Sequence, residues 1–466
     1  MKRYFKVLML SGVVLAVQSC GIIKDYKRPN VETDSVFRTA IPQTDSTSLG
    51  SYKWTDLFTD PLLQGYVDEA LDNNFDVQIA LKNLQIAEAY VKQTKANFVP
   101  TVGVDVSGST SKIATNSRTG SFLPSGALFN EFQINASLSW EIDVWGKLKS
   151  QKKAAVAKYM QTSNFIKLIK SEIVAGVANQ YYILLSLDSQ REILLSTIEN
   201  RRQSVATITA LKEAGTTTEV AVKQNEALLY AAQSLLIDIE NQIKITENAL
   251  CILLGKSPSA IDRNPLSEQE IAVALQVGVP IQLLSNRPDV VAAEYNLINA
   301  FELSNAARAS MYPVLSIGAS GGLNSTNFTS LFSLNSLFAN LIGNLTQPIF
   351  NRRALKTQKE VKAAEQEIAL LQYEQTIIKS YQEVSNALYS YNANAEKLVL
   401  KAQENEAYAE AIEFSEELLS QGLANYLEVL RAKDNALNVE LNMVTLELNK
   451  LTSTVQLYKA LGGGWQ

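Results

Sequence analysis

The sequence predicts an α+β membrane protein made of two tandem copies of one unit, each copy supplying a pair of β-strands and a long helical hairpin. Three observations carry that prediction: an internal repeat, short segments of period-two alternation, and long proline-free stretches with helical periodicity. In the repeat, Leu71, Asn73, Asp76, Val77, Ala80, Leu84, Ala87, Ala96, Pro100, Ser107 and Gly108 recur 213 residues later. Their counterparts are Leu284, Asn286, Asp289, Val290, Ala293, Leu297, Ala300, Ala309, Pro313, Ser320 and Gly321. Leu148-Lys149-Ser150-Gln151-Lys152 then recurs as Leu355-Lys356-Thr357-Gln358-Lys359, an offset of 207 that holds through Gly215/Gly422 to Leu254-Gly255/Leu461-Gly462. A register kept that long makes each half one structural unit, in a fold that needs both.

Composition narrows the chemistry. The 466 residues carry a net charge of −5, which gives no electrostatic case for nucleic acid. There is no His, so the commonest general base and transition-metal ligand is missing. Two Cys, Cys20 and Cys251, are too few for a disulfide framework or a structural zinc site. No catalytic residue, cofactor or metal site is expected. Cys251 lies in the apolar run from Ala249 to Leu254 and reads as a small core residue.

Residues 1–19 read as a signal peptide. Lys2 and Arg3 precede an apolar stretch, Val7 to Val17, too short to span a bilayer. The stretch ends in Val17-Gln18-Ser19-Cys20, which resembles a loose bacterial lipobox with Cys20 as the lipidated residue. Acyl chains there would anchor the chain at roughly 0.8 kcal/mol per buried CH₂. Gly21 rather than Asp after the Cys favours the outer membrane under lipoprotein sorting rules. Residues 20–60 are polar and turn-rich and read as an extended arm.

The first repeat, 61–270, opens with a helix expected from about Pro61 to Asn97, stopped by Pro100. A strand pair over about 101–145 follows. Val102, Val104 and Val106 alternate with Gly103, Asp105 and Ser107. Phe132, Ile134, Ala136, Leu138, Trp140, Ile142 and Val144 then alternate with Gln133, Asn135, Ser137, Ser139, Glu141 and Asp143. Such strands have one wet and one dry face, with the length of a transmembrane strand. A helical hairpin over 148–255 follows, with apolar residues at Ile166, Ile169, Ile173, Val177, Tyr181, Leu184 and Leu187 in steps of three and four. Residues 148–211 alone would reach roughly 96 Å as one helix. Ala214-Gly215-Thr216 turns the chain back. The second repeat, 271–466, has its strand pair over about 314–347 and its hairpin over 355–462, turning at Gln421-Gly422-Leu423.

Four strands cannot close a barrel, and an open strand edge in lipid leaves unpaired backbone groups costing several kcal/mol each. The smallest transmembrane barrels have about eight strands. Several chains must therefore share one barrel, and closure alone does not choose between two, three and four copies. The polar strand positions Asp105, Gln133, Asn135, Glu141 and Asp143 would line a wet lumen.

The duplicated plan resembles the TolC-type outer membrane efflux family, in particular its lipoprotein branch. The resemblance rests also on Asp-Tyr-Lys-Arg-Pro at 25–29, Asn-Arg-Pro-Asp-Val at 286–290, Leu-Thr-Gln-Pro-Ile-Phe at 345–350, and the tip Gly422…Tyr426-Leu427-Glu428-Val429-Leu430. It covers essentially the whole mature chain. It implies a homotrimer with a twelve-stranded barrel, four strands per chain, above an α-helical coiled-coil tunnel in the periplasm. It implies as partners a periplasmic adaptor protein and an inner-membrane pump of the resistance-nodulation-division type, beside outer membrane lipids. The channel itself would be passive and carry small molecules outward.

In that family, acidic residues one helical turn apart after the second tip Gly form a periplasmic constriction. The matching positions are Glu428 and Arg431, which share a helix face at i and i+3. Glu428 keeps the acidic character and Arg431 departs from it. If both face the threefold axis, they could pair across the ring rather than form an anionic iris; otherwise they are a solvated pair worth a few tenths of a kcal/mol. Gly215, Gly422 and Tyr426 mark the tips expected to dock the adaptor, and both Gly also suit plain turns with positive φ. Two other readings stay inside the outer membrane or periplasm: an outer membrane duct of a type I protein secretion system, and a periplasmic coiled-coil spacer lipoprotein. An envelope enzyme using Glu141 and Asp143 is a third, weakened by the missing His.

Overall fold

The computed structural model describes residues 22–30, 48–122, 124, 127–269 and 286–466. The expected signal peptide and the lipidation position Cys20 lie outside them, as does much of the arm. Among the described residues, eleven elements carry the fold. Helices α1 (Pro61–Asn73) and α2 (Phe75–Ala96) precede strands β1 (Thr101–Lys112) and β2 (Leu128–Ile142). Helices α3 (Lys147–Glu213) and α4 (Glu219–Leu253) form the first hairpin, and α5 (Pro288–Ala309) leads into β3 (Val314–Ser325) and β4 (Leu337–Thr346). The second hairpin is α6 (Ala354–Ser420) and α7 (Tyr426–Ala460). The hairpin helices match pairwise at 67 and 35 residues, with every boundary shifted by the same 207 positions. No described helix is both long and apolar enough to cross a membrane.

One boundary differs from expectation. The helix expected over Pro61–Asn97 is two helices, because Asn74 adopts extended backbone between them (φ −61°, ψ 132°). Its side-chain oxygen accepts from Asp76 N at 2.8 Å and so caps α2, while its amide nitrogen donates to the Leu253 carbonyl at 2.9 Å. A side chain that can satisfy orphan amides competes with a continuing helix.

The chain forms two compact units, and each takes segments from both repeats. One holds the sheet together with α5, the start of both long helices and residues 22–30 of the arm. All four strands are antiparallel in the order β1-β2-β3-β4. Register places Val102, Leu138, Ala319 and Leu341 in one cross-strand row and Val104, Ala136, Gly321 and Ala339 in the next. The strands of both repeats thus put most of their apolar residues on one face, while Phe129, Phe338 and Ile342 fall on the other. That face is open in the single chain, where Val104 is 69% and Leu341 78% exposed. The arm packs against α5: Asn305 bonds both backbone groups of Lys24, Tyr26 meets the Phe301 ring edge-on at 5.7 Å, and Arg28 pairs with Glu294.

The second unit is helical. Of the expected α3 seam, Ile166, Ile173, Val177, Tyr181, Leu184 and Leu187 are buried there, and Ile169 is partly exposed. Cys251 is fully buried, as expected of a core residue. Asp60 caps α1 through Leu62 N and accepts from the Tyr181 hydroxyl (2.6 Å), the Asn264 amide (2.9 Å) and the Gln269 amide (2.9 Å). Burial alone would push the Asp60 carboxyl up; the bonds from Tyr181, Gln269, Leu62 and Asn264 outweigh it and hold it below the ordinary range. A buried carboxylate with this many donors is a structural knot joining three segments distant in sequence.

Candidate functional site

The polar face of the sheet is built by register. Asp105 stands opposite Asn135, Ser107 opposite Gln133, and Glu141 opposite Ser316. Asp105, Gln133, Asn135 and Glu141 therefore share the face opposite the valines. Glu141 also pairs with Lys147 at 2.5 Å. Asp143 does not belong to this set. The strand ends at Ile142, and the Asp143 carboxylate accepts from Leu148 N (3.0 Å) and Lys149 N (2.8 Å), satisfying orphan amides at the start of α3. Its alternation with Val144 continues the strand pattern by one step beyond the strand itself. Because the acid is engaged as a cap, Glu141 and Asp143 do not form a carboxylate pair on one strand.

The hairpin ends form the second candidate region. Gly215 and Gly422 have φ of +78° and +76°, and nothing lies within 4 Å of a Cβ added at either. Thr216 N bonds the Leu211 carbonyl and Leu423 N the Leu418 carbonyl, both at 2.9 Å. This is the left-handed helix-ending motif in both repeats, so backbone geometry accounts for both glycines. Around these tips, Val220 and Leu423 leave apolar side chains largely in solvent.

Asn425 caps α7 through Leu427 N at 3.2 Å, placing Glu428 in the first turn, where its charge suits the helix dipole. Glu428 and Arg431 are both exposed, and among the described residues they make no ion pair with one another. Tyr426 makes a contact that the sequence did not signal. It is half-buried, and its hydroxyl donates to Asn225 Oδ1 at 2.8 Å, while Asn225 in turn donates to the Ala221 carbonyl. Burial pushes the Tyr426 phenol up. The residue links the two hairpins, because a phenol can bury its ring and still bond through its tip.

Contacts that sequence reasoning missed complete the region. Arg201 on α3 donates to the Leu228 carbonyl (2.5 Å) and to Asp434 on α7 (2.9 Å), and Lys433 pairs with Glu416 at 2.5 Å. These groups line a cleft of about 1130 Å³ between the hairpins, with Ser204, Asn225 and Glu440 among its walls. The Arg201–Asp434 link joins residues from different repeats, and no local pattern in the sequence signals it. The arrangement offers held but breakable polar links across a wet cleft. It assembles no nucleophile, general base and oxyanion donor in one place.

Comparison with known proteins agrees with this geometry. The family described as outer membrane efflux protein matches residues 66–256 and 279–463. The chain is 28% identical over 468 residues to the toluene efflux pump outer membrane protein TtgI of Pseudomonas putida, covering 99% of this chain and 97% of the relative. It is 28% identical over 461 residues to the cation efflux system protein CusC of Escherichia coli O6:H1, covering 97% and 98%. Among solved structures, a crystal structure of CusC matches with a TM-score of 0.82 at 26% identity, covering 95% of this chain and 99% of that one.

Proposed function

The chain belongs to the outer membrane efflux protein family and is the outer membrane channel of an efflux system; from that premise we propose how it is assembled and gated. One observation carries the proposal: a four-stranded antiparallel sheet with most of its apolar residues on one exposed face, and β1 and β4 left as edges within the chain. In water this face would aggregate, and in lipid the edges would leave backbone groups unsatisfied. Pairing β4 of one copy with β1 of the next removes both problems. Three copies give a closed twelve-stranded barrel, in line with the family resemblance.

The polar face bearing Asp105, Gln133, Asn135 and Glu141 lines the lumen, and lipid on Cys20 tethers the arm beside the barrel. Glu428 and Arg431 form a mixed-charge constriction at the periplasmic end, held by the Arg201–Asp434 and Tyr426–Asn225 links. A periplasmic adaptor docks at the tips around Gly215 and Gly422 and connects to a proton-driven inner-membrane pump, so the channel is passive. Relatives named for toluene and for cations match at the same identity. The lumen is accordingly general water-facing lining, and cargo choice belongs to the pump and adaptor.

The test is the oligomeric mass of the full-length protein in mild detergent, followed by export in cells lacking their own channel. A sharp trimer that restores export together with a cognate adaptor and pump supports the assignment. A monomer that stays soluble without detergent once Cys20 is replaced overturns it in favour of the spacer.

A further inference from the structure

The duplicated Leu-Lys-x-Gln-Lys segment has no part in the channel reading, yet it opens both long helices. A helix N-terminus carries partial positive charge and favours acids. Neither α3 nor α6 has an acid in its first turn. Lys149 and Lys152 stand in the first helix instead, and Lys356 and Lys359 occupy the equivalent places in the second. Helix stability does not explain cations at this end, twice over.

Local acids do not neutralise them. Glu141 is paired with Lys147, Glu302 with Lys153, and Glu360 with Arg353, while Asp143 is held by backbone amides. Among the described residues, Lys149, Lys356 and Lys359 make no ion pair, and Lys152 stands over the Phe98 ring at 5.9 Å. Phe98 leads back to the sheet: its carbonyl accepts from the indole of Trp140 at 3.0 Å, and Trp140 lies in the apolar rows. Next to it, the Trp145 indole donates to the Pro313 carbonyl at 2.7 Å and its ring packs on Tyr312 at 5.3 Å. Passing along this unit from strands to helices, the surface changes from aliphatic to aromatic to cationic. That is the order hydrocarbon, interface and phosphate take at a bilayer surface.

We propose that the strand–helix junction binds anionic phospholipid headgroups of the periplasmic leaflet, with Lys152 and Lys359, backed by Lys149 and Lys356, on the lipid phosphates. This inference rests on the membrane-spanning reading of the sheet. Charge complementarity and continuity with the apolar sheet face select the occupant, a lipid such as phosphatidylglycerol. The duplication gives each chain two such positions, so the belt repeats around the barrel.

The full-length protein is reconstituted into phosphatidylethanolamine bilayers containing a minority of phosphatidylglycerol. Lipids retained after mild detergent extraction are then counted by native mass spectrometry. Phosphatidylglycerol should be enriched over its bulk share by about fivefold for each cation engaged. Lys152→Gln/Lys359→Gln should abolish the enrichment with oligomeric mass and strand content unchanged, and Lys359→Arg should retain it. If the double variant does not fold, Lys359→Gln alone should lower the enrichment. A retained pool with the bulk composition, or an enrichment that survives neutralisation, overturns the proposal while leaving the barrel intact. Failure of the wild-type protein to enter the bilayer at all overturns the membrane reading instead.

Discussion

Arg287 does in the second repeat what Asn74 does in the first. Asn74 donates to the Leu253 carbonyl at 2.9 Å, and Arg287, 213 residues later, donates to the Ala460 carbonyl at 2.8 Å. Both close the C-terminal end of a return helix with a side chain from a helix start. Chemistry differs where geometry is kept, because Arg287 is buried and also holds Asp289 and Glu383 at 2.7 and 2.6 Å. Asn74→Ala removes a cap and a bond to a carbonyl, for a loss of about 1–2 kcal/mol. Arg287→Ala strands two carboxylates, one of them largely exposed, and should cost more, about 3 kcal/mol. Thermal unfolding of the two variants in detergent should give that order; equal losses would show that the two bonds, not the charges, dominate.

Asp60 makes stability depend on acid. Its folded-state carboxyl lies below the ordinary value, so its contribution is complete above about pH 4, the unfolded value. It is lost as pH falls through the folded pKa. Asp60→Asn should therefore lower the melting temperature at neutral pH, with the gap to wild type closing as pH drops below about 4. A gap independent of pH would mean packing, not charge, is what the substitution removes.

Glu428 stands exposed in the first turn of α7, and the proposed constriction makes it a gate residue. Glu428→Ala should raise the single-channel conductance of the isolated protein in planar bilayers. Arg201→Ala, which frees Asp434 and the Leu228 carbonyl, should act in the same direction by loosening the return helix. Unchanged current in Glu428→Ala removes that residue from the gate.

The tip glycines separate turn from docking. Gly422→Ala meets no atom but must hold a left-handed backbone, at about 1 kcal/mol. Asn tolerates that backbone better than other side chains. If the tip docks an adaptor, Gly422→Asn should leave stability near wild type yet reduce export; full export would assign the glycine to the turn alone.

At the junction of β4 and α6, Arg353 holds φ of +68°, and its counterpart 207 positions earlier is Gly146 at +75°. A non-glycine residue held there costs about 1 kcal/mol or more. Its exposed pair with Glu360 returns little. Arg353→Gly should raise the unfolding temperature slightly, and a drop would show that the Glu360 pair matters more than the backbone.

Much of this architecture was legible. The alternation at Val102–Val106 and Phe132–Ile142 placed two strands and their wet faces, since pleating makes side-chain direction a local property. Steps of three and four from Ile166 to Leu187 placed the hairpin core for the same reason. The break at Asn74 was readable as well. Pro288 stands 213 residues after Phe75, at the first position of α5, and read back through the repeat it starts a helix at Phe75. Asp143 was misplaced because a cap one residue past a strand continues the alternation.

The sequence by itself determined the kind and order of the elements, the duplication, and the need for more than one copy, because periodicity and strand number are counted along the chain. Only the tertiary structure decided that Tyr426 turns inward to Asn225, that Arg201 reaches Asp434, and that Asp60 gathers Tyr181, Asn264 and Gln269. Those pairings join residues more than a hundred positions apart, and helical periodicity fixes the face a residue takes but not its distant partner. A hydrogen bond needs its two atoms within about 3 Å, and only the folded chain sets that distance.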